Sequence, residues 1–295
     1  MNATARNREP QLTLSAEKVE FFGRNGYLTL RGITTVDDLA NLRDIYERMF
    51  RERTGLAEGN YFDLSASGED VSTLPQITMM AAYEPRLRDT LLWRNIGVVS
   101  RQLLGDNAKH VFDHGIRKPP HGPKTPWHQD YAYYGPGVRH RCITFWVPLQ
   151  DATVENGCMW FIPGSHRGPL LTHHPLDDDP RIHGLEIADP AFEQRYSSTF
   201  REITDGMVAC PIKVGDCTIH DEMTIHGTGP NTTGEPRLAY GLAFGVRTRR
   251  SRVRTAHSWN AVKRTLRDQR QQQSLGTMAR MKKAAAKLLA RAGLY

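Results

Sequence analysis

At 295 residues, with 39% hydrophobic and 24% charged side chains, the chain has the composition of an ordinary globular protein and the length for a sizeable core. Its net charge of +7 is unevenly spread: from Arg247 onward fourteen Lys and Arg stand against one acid, Asp268, whereas the preceding residues carry 25 basic and 31 acidic side chains. An acidic body argues against a nucleic-acid binder, no apolar run nears the roughly 18–20 residues of a membrane span, and the polar start, residues 1–11, lacks the apolar stretch of a secretory leader, so a cytoplasmic protein is expected.

In chain order, Ser15 is placed to cap a helix over 15–24, with Val19, Phe21 and Phe22 on its apolar face. Gly26 then opens a strand over 27–31. Thr35 caps a longer helix carrying Leu39, Leu42, Ile45, Tyr46 and Met49 at three- and four-residue steps. Residues 54–76, rich in Gly, Ser, Asp and Glu, read as a loop, and a second long helix over 85–104 stops at Gly105.

The texture changes after Lys109. Short apolar runs at 142–149, 159–162, 207–212, 217–220 and 238–246 are punctuated by Gly, Pro, Asn and Asp, the pattern of a sandwich or barrel. The polar stretch 164–204 interrupts them and is expected to be a lid or a disordered segment, with His173, His174 and His183 exposed. Cys142, Cys158, Cys210 and Cys217 form no CxxC pair and read as reduced, small hydrophobes. From about residue 277, Met278, Met281, Ala285, Leu288 and Ala292 mark one stripe of a basic helix, expected to dock on the acidic body. The expected organisation is one domain over 1–246, with helices at about 15–108 and a β core at about 109–246, followed by a basic tail at 247–295.

Two short motifs carry chemistry. In Trp127-His128-Gln129-Asp130, strand alternation puts His128 and Asp130 on one face and Gln129 on the other. His226, followed by the turn Gly227-Thr228-Gly229-Pro230-Asn231, supplies a further imidazole; two histidines and one carboxylate in a facial set are the signature of a non-haem Fe(II) oxygenase. His220, six residues earlier, lacks that turn and is not expected as a ligand. Arg237 opens a strand in which it shares a face with Ala239, Gly241 and Ala243, while Leu238, Tyr240, Leu242 and Phe244 take the other. A guanidinium among small residues suits the grip of a carboxylate by two parallel hydrogen bonds. Tyr131, Tyr133 and Tyr134 are candidates either for packing or for substrate contact. Trp127, Trp146 and His166 read as structural.

Taken together, Asn25-Gly26-Tyr27-Leu28, Lys118-Pro119-Pro120, Trp127-His128-Gln129-Asp130, the run from Asn156 through Pro163-Gly164-Ser165-His166, and His226-Gly227-Thr228-Gly229-Pro230-Asn231 with Arg237 resemble the phytanoyl-CoA dioxygenase-like family of Fe(II)/2-oxoglutarate oxygenases. The resemblance implies a mainly β, cupin-like jelly roll (a double-stranded β-helix) with flanking helices. It matches His128, Asp130 and His226 to the iron ligands, Arg237 to the arginine on the far carboxylate of 2-oxoglutarate, and Thr228 and Lys118 to groups near that cosubstrate. The implied reaction uses O2 and 2-oxoglutarate to oxidise an unactivated C–H bond of a small molecule, as in secondary metabolism, releasing succinate and CO2. Because Asp130 is kept, halogenation is disfavoured. The alternatives are a cupin-like metalloenzyme that does not use 2-oxoglutarate and a metal-binding protein without turnover.

Overall fold

The Ser15 side chain accepts a hydrogen bond from the Lys18 amide and starts helix α1 (Ala16–Asn25); Gly26, in the left-handed conformation at φ 77°, ends it and turns the chain into strand β1 (Tyr27–Leu30). Thr35 caps α2 (Val36–Arg51) in the same way. The computed structural model of the protein describes residues 12–68, 72–134, 140–196, 199–200, 206–247 and 257–274, with positions 276, 281, 284, 287 and 288.

The segment expected as a loop contains two strands, β2 (Tyr61–Asp63) and β3 (Pro75–Thr78). Asp63 explains them. Its carboxylate accepts from the amides of Ser65, Thr73 and Leu74 and from the hydroxyls of Ser65 and Thr73, so one side chain closes the hairpin. The helix expected over 85–104 is also divided. After the one-turn helix α3 (Met80–Tyr83), a 3-10 turn at Pro85–Asp89 precedes α4 (Leu91–Leu104), capped by Thr90. Asp38 of α2 accepts from the Leu91 and Leu92 amides at 3.0 and 2.8 Å, tying the start of α4 to α2.

The β strands continue as β4 (Lys109–Lys118), β5 (Thr125–His128), β6 (His140–Pro148), β7 (Met159–Phe161), β8 (His173–Pro175), β9 (Leu185–Ile187), β10 (Val208–Cys210), β11 (Cys217–Asp221), β12 (His226–Thr228) and β13 (Arg237–Arg247). Among the described residues they form an antiparallel sheet in the order β1-β11-β6-β13-β4-β3-β2 and a smaller one in the order β10-β7-β12-β5, with β8 and β9 as a separate hairpin. This is the expected jelly roll. The N-terminal segment supplies three strands of the larger sheet: β1, as expected, and β2 and β3, which were not.

Alternation on β13 sorts the two faces of that sheet. Leu238, Tyr240, Leu242 and Phe244 pack with Ile143, Phe145 and Val147 of β6, Cys217 and Ile219 of β11, Leu39, Leu42, Tyr46 and Met49 of α2 and Leu92, Ile96 and Val99 of α4. Replacing a leucine in this cluster with alanine costs about 2–5 kcal/mol. The opposite face, with Arg237, Ala239, Gly241 and Ala243, turns toward the smaller sheet.

The described part of the 164–204 stretch, expected as a lid or a disordered segment with few strand signals, holds β8, β9 and α5 (Pro190–Arg195). His173, expected to be exposed, is 2% exposed. Beyond β13, α6 (Ser258–Val262) packs on β8 and α7 (Leu266–Ser274) on β2. Of the basic stripe farther on, Met278, Ala285 and Ala292 lie outside the described residues, and Met281 and Leu288 are exposed. All four cysteines are buried and free. No helix among the described residues is long and apolar enough to cross a membrane.

Candidate active site

Strands β5 and β12 are antiparallel neighbours in the register that sets His226 opposite His128, with ring centroids 4.2 Å apart. Gln129 stays extended (φ −117°, ψ 131°), so Asp130, the first residue of a 3-10 turn over Asp130–Tyr133, comes round to the face of His128. Asp130 Oδ1 lies 3.8 Å from His128 Nε2 and 3.5 Å from His226 Nε2. The three donor atoms fall within 4.8 Å of one another. The Nδ1 atoms donate to the Pro126 carbonyl (2.8 Å) and the Thr224 carbonyl (2.9 Å), which fixes the tautomers and leaves each Nε2 lone pair facing the common centre.

The protonation states suit a cation. Burial pushes His128 down to about 4, and burial with the neighbouring His220 lowers His226. Burial alone would raise Asp130; its electrostatic interaction with the adjacent His226 and the hydrogen bond of His220 outweigh it and hold the carboxyl well below the usual range. Neutral imidazoles and an ionised carboxylate are the forms that ligate a metal, so the residues fit a divalent iron.

The carboxylate is itself oriented. Asp130 Oδ2 accepts from Thr144 Oγ1 at 2.9 Å and from His220 Nε2 at 3.2 Å, leaving Oδ1 for the centre. The spacing argument set His220 aside as a ligand; its function as a partner of Asp130 becomes visible only when β11 and β6 are paired.

A second group of polar residues follows along the same strands. Thr228, two residues beyond His226, accepts from Lys118 Nζ at 2.8 Å, and the same ammonium donates to the Gly229 carbonyl at 2.5 Å. Lys118 pairs in register with Arg237. Both cations are buried, at 0% and 1% exposure, and Arg237 Nε and Nη1 have no hydrogen-bond partner among the described residues. The guanidinium sits 5.1 Å from the Trp146 ring, a support that the packing reading of Trp146 did not include. Burial pushes Arg237 down to about 10; burial and the nearby Arg237 charge push Lys118 well below its usual value. Buried basic side chains with unpaired N–H groups have the chemistry to receive a carboxylate.

His114 was not singled out from the sequence. It pairs with Gly241, and a β-carbon on that glycine would collide with its ring. Burial lowers its pKa, and it interacts electrostatically with Asp130, His128 and His226. The usable signal was alternation on β4, which puts His114, Ile116 and Lys118 on one face.

The three tyrosines diverge. Tyr133 meets the His128 ring edge-on at 5.8 Å, and its hydroxyl accepts from the Leu185 amide at 2.8 Å. Tyr131 packs edge-on to Tyr134 and against His257. Tyr134 lies near Cys142 and Glu222, where burial and the charge of Asp130 raise its phenol. His166 bonds the Gly23 carbonyl at 3.2 Å and is structural, as expected.

The model of the family described as Phytanoyl-CoA dioxygenase (PhyH) matches residues 22–239. A probable alpha-ketoglutarate-dependent hypophosphite dioxygenase from Stutzerimonas stutzeri is 25% identical over 218 residues, 73% of each chain. The ectoine dioxygenase of Sphingopyxis alaskensis is 27% identical over 240 residues, 79% of this chain and 76% of that one. Among solved structures, EvdO2 from Micromonospora carbonacea var. aurantiaca superposes with a TM-score of 0.66 at 32% identity, covering 85% of this chain and 99% of that one. EvdO2 complexed with 2-oxoglutarate gives a TM-score of 0.65 at 31% identity, over 85% and 98% of the two chains. The chain belongs to the phytanoyl-CoA dioxygenase (PhyH) family and is a 2-oxoglutarate-dependent non-haem iron dioxygenase.

Proposed function

We propose that His128, Asp130 and His226 hold the iron and that Arg237, helped by Thr228 and Lys118, holds the far carboxylate of 2-oxoglutarate in the oxidation of a small molecule's C–H bond. One observation carries this reading: the strand that supplies His226 also supplies Thr228, which accepts from Lys118, and Lys118 pairs in register with the buried guanidinium of Arg237. Thr228 stands two residues from His226, about 6.6 Å along a strand, a distance that a five-carbon diacid bridges.

The iron, when bound, supplies the activation of O2 and the coupled decarboxylation of the cosubstrate to succinate and CO2. The chain's own groups do the rest. Arg237 and Lys118 neutralise and orient the dianion, with the Trp146 face beneath the guanidinium. Thr144 and His220 hold Asp130 so that one carboxylate oxygen faces inward. The β8–β9 hairpin shields the His128 side, its Leu185 amide fastened to the Tyr133 hydroxyl. Tyr131, Tyr133 and Tyr134 lie on the turn that starts at the carboxylate ligand and are assigned to the substrate side. Asp130 occupies the position a halide would need, so hydroxylation or a related C–H oxidation is the outcome.

A small organic substrate, as in natural-product tailoring, fits a body whose acidic balance offers no basic groove, and no nucleic-acid partner is assigned. Four reduced, buried cysteines suit a cytoplasmic setting. The test is anaerobic addition of Fe(II) and 2-oxoglutarate to the metal-free protein. A weak visible charge-transfer band that is lost in Arg237→Ala is expected. Iron uptake with no band would overturn the cosubstrate assignment in favour of a metalloenzyme of the same fold that does not use 2-oxoglutarate.

A further inference from the structure

The family match ends at residue 239, yet the chain beyond it returns to the site. Trp259 Nε1 and Asn260 Nδ2 both donate to the carbonyl of Ala132, at 3.0 and 2.7 Å. Ala132 lies in the turn that begins with Asp130 and is completely buried. The turn uses its own N–H groups elsewhere: Tyr131 N donates to the Glu222 carbonyl, Ala132 N to Gln129 and Tyr134 N to Tyr131. The Ala132 carbonyl is an end-of-helix acceptor, and its hydrogen-bond partners among the described residues both come from α6. A buried carbonyl stripped of its donors is costly.

The same segment reaches the other side of Asp130. The Trp259 ring stacks on His257 at 4.8 Å and 6° and lies 5.4 Å from His173. His173 Nε2 in turn accepts from the amide of Gln129, the residue before Asp130. Farther along, Lys263 Nζ donates to the His183 carbonyl at 2.6 Å with its ammonium 4.9 Å from the Tyr133 ring, and the Arg264 amide donates to the Pro180 carbonyl at 2.7 Å. The segment is therefore also fastened outside the turn it touches, to the carbonyls of Pro180 and His183.

We propose that residues 257–264 are a positioning strap for the metal centre: Trp259 and Asn260, by sharing the Ala132 carbonyl, fix the turn that presents the Asp130 carboxylate. The strap rests on the assignment of Asp130 as a ligand. Trp259 and Asn260 are positioning residues; neither is assigned contact with the iron or the reacting atoms.

The experiment is a titration of the full-length, metal-free protein with Co(II), followed by its visible ligand-field absorption, with no cosubstrate or turnover required. Trp259→Phe removes a donor and keeps the ring; Asn260→Ala removes the other donor. Each single variant is expected to weaken Co(II) binding about threefold and the pair about tenfold or more, the usual effect of losing groups that orient ligands, with an altered absorption envelope. Thr265→Ala, which removes the hydroxyl accepting from the Asp268 amide at the start of α7, serves as the control: it loosens the same segment without touching Ala132 and should lower Tm while leaving the affinity within about twofold. Parent-like affinity and absorption in the double variant would overturn the strap. Equal loss of affinity in Thr265→Ala would also overturn it, by reducing the effect to general loosening. If the double variant does not fold, the single variants decide by the same criteria. A parent chain that takes up no Co(II) would instead remove the ligand assignment, and the strap with it.

Discussion

His220 and Asp130, ninety positions apart in the chain, are joined by a 3.2 Å hydrogen bond that ends on the carboxylate oxygen turned away from His128 and His226. Thr144 meets the same oxygen. The two contacts decide which oxygen faces the metal position. Replacing His220 with Phe, or Thr144 with Val, is therefore expected to weaken metal affinity by about tenfold or more, whereas His220→Gln retains a donor and recovers part of it. Equilibrium Mn(II) binding measured by electron paramagnetic resonance checks this; parent-like binding in His220→Phe would remove the orienting function.

Arg237→Ala should raise the KM for 2-oxoglutarate by about a hundredfold, since charged hydrogen bonds are worth about 1.5–3 kcal/mol. Metal affinity should change little. In the parent protein, cosubstrate at a hundred times its Kd should add about 2.7 kcal/mol of stability, an effect that Arg237→Ala loses. Calorimetric unfolding with and without 2-oxoglutarate reads both.

The metal-free protein should be destabilised on either side of a mildly acidic range. Burial lowers His173 to about 3, so between that value and its ordinary range near 6.5 the unfolded chain binds the extra proton, and stability falls as pH drops through this window. Burial, then the charge of Asp221, raises Glu222 to about 8. There the folded protein holds the extra proton above about 4.5, and the corresponding stability is lost as pH rises toward 8. Glu222→Gln should therefore raise Tm at pH 8–9 relative to the parent and have little effect near pH 4. A uniform shift at all pH values would show that the carboxyl is not protonated in the fold.

Gly241→Ala should be more harmful than its size implies. The added methyl must displace the His114 ring, which stands directly opposite on the neighbouring strand β4. A loss of about 1–3 kcal/mol is expected for overpacking of this kind. His114→Ala in the same chain should recover much of it, which a double-mutant cycle by urea unfolding measures.

Much of this was legible in the sequence because strands keep strict alternation. The two faces of β13, the pairing of His128 with Asp130 across one residue, and the turn after His226 all follow from period two and turn chemistry. What escaped involved partners distant in sequence. The β2–β3 hairpin has little hydrophobic alternation and depends on the five hydrogen bonds of Asp63. His173 looked like a loop histidine because nothing local reveals that an amide of the Gln129 peptide will point at its ring. The strap was least legible: its target is a backbone carbonyl, and a carbonyl has no residue signature.

Gln129, between the proposed ligands His128 and Asp130 and facing away from them, is wholly buried. Its side-chain amide donates to the carbonyls of Met223 and Pro169 and accepts from the Leu171 amide. The peptide that spaces the ligands is thus also the foundation of the hairpin arm. The arm and the ligands share a single joint, so a molecule that settles the arm and an ion that settles the ligands act on the same few torsions. Thermodynamic reciprocity then requires that whatever factor one imposes on the affinity for the other is returned in equal measure.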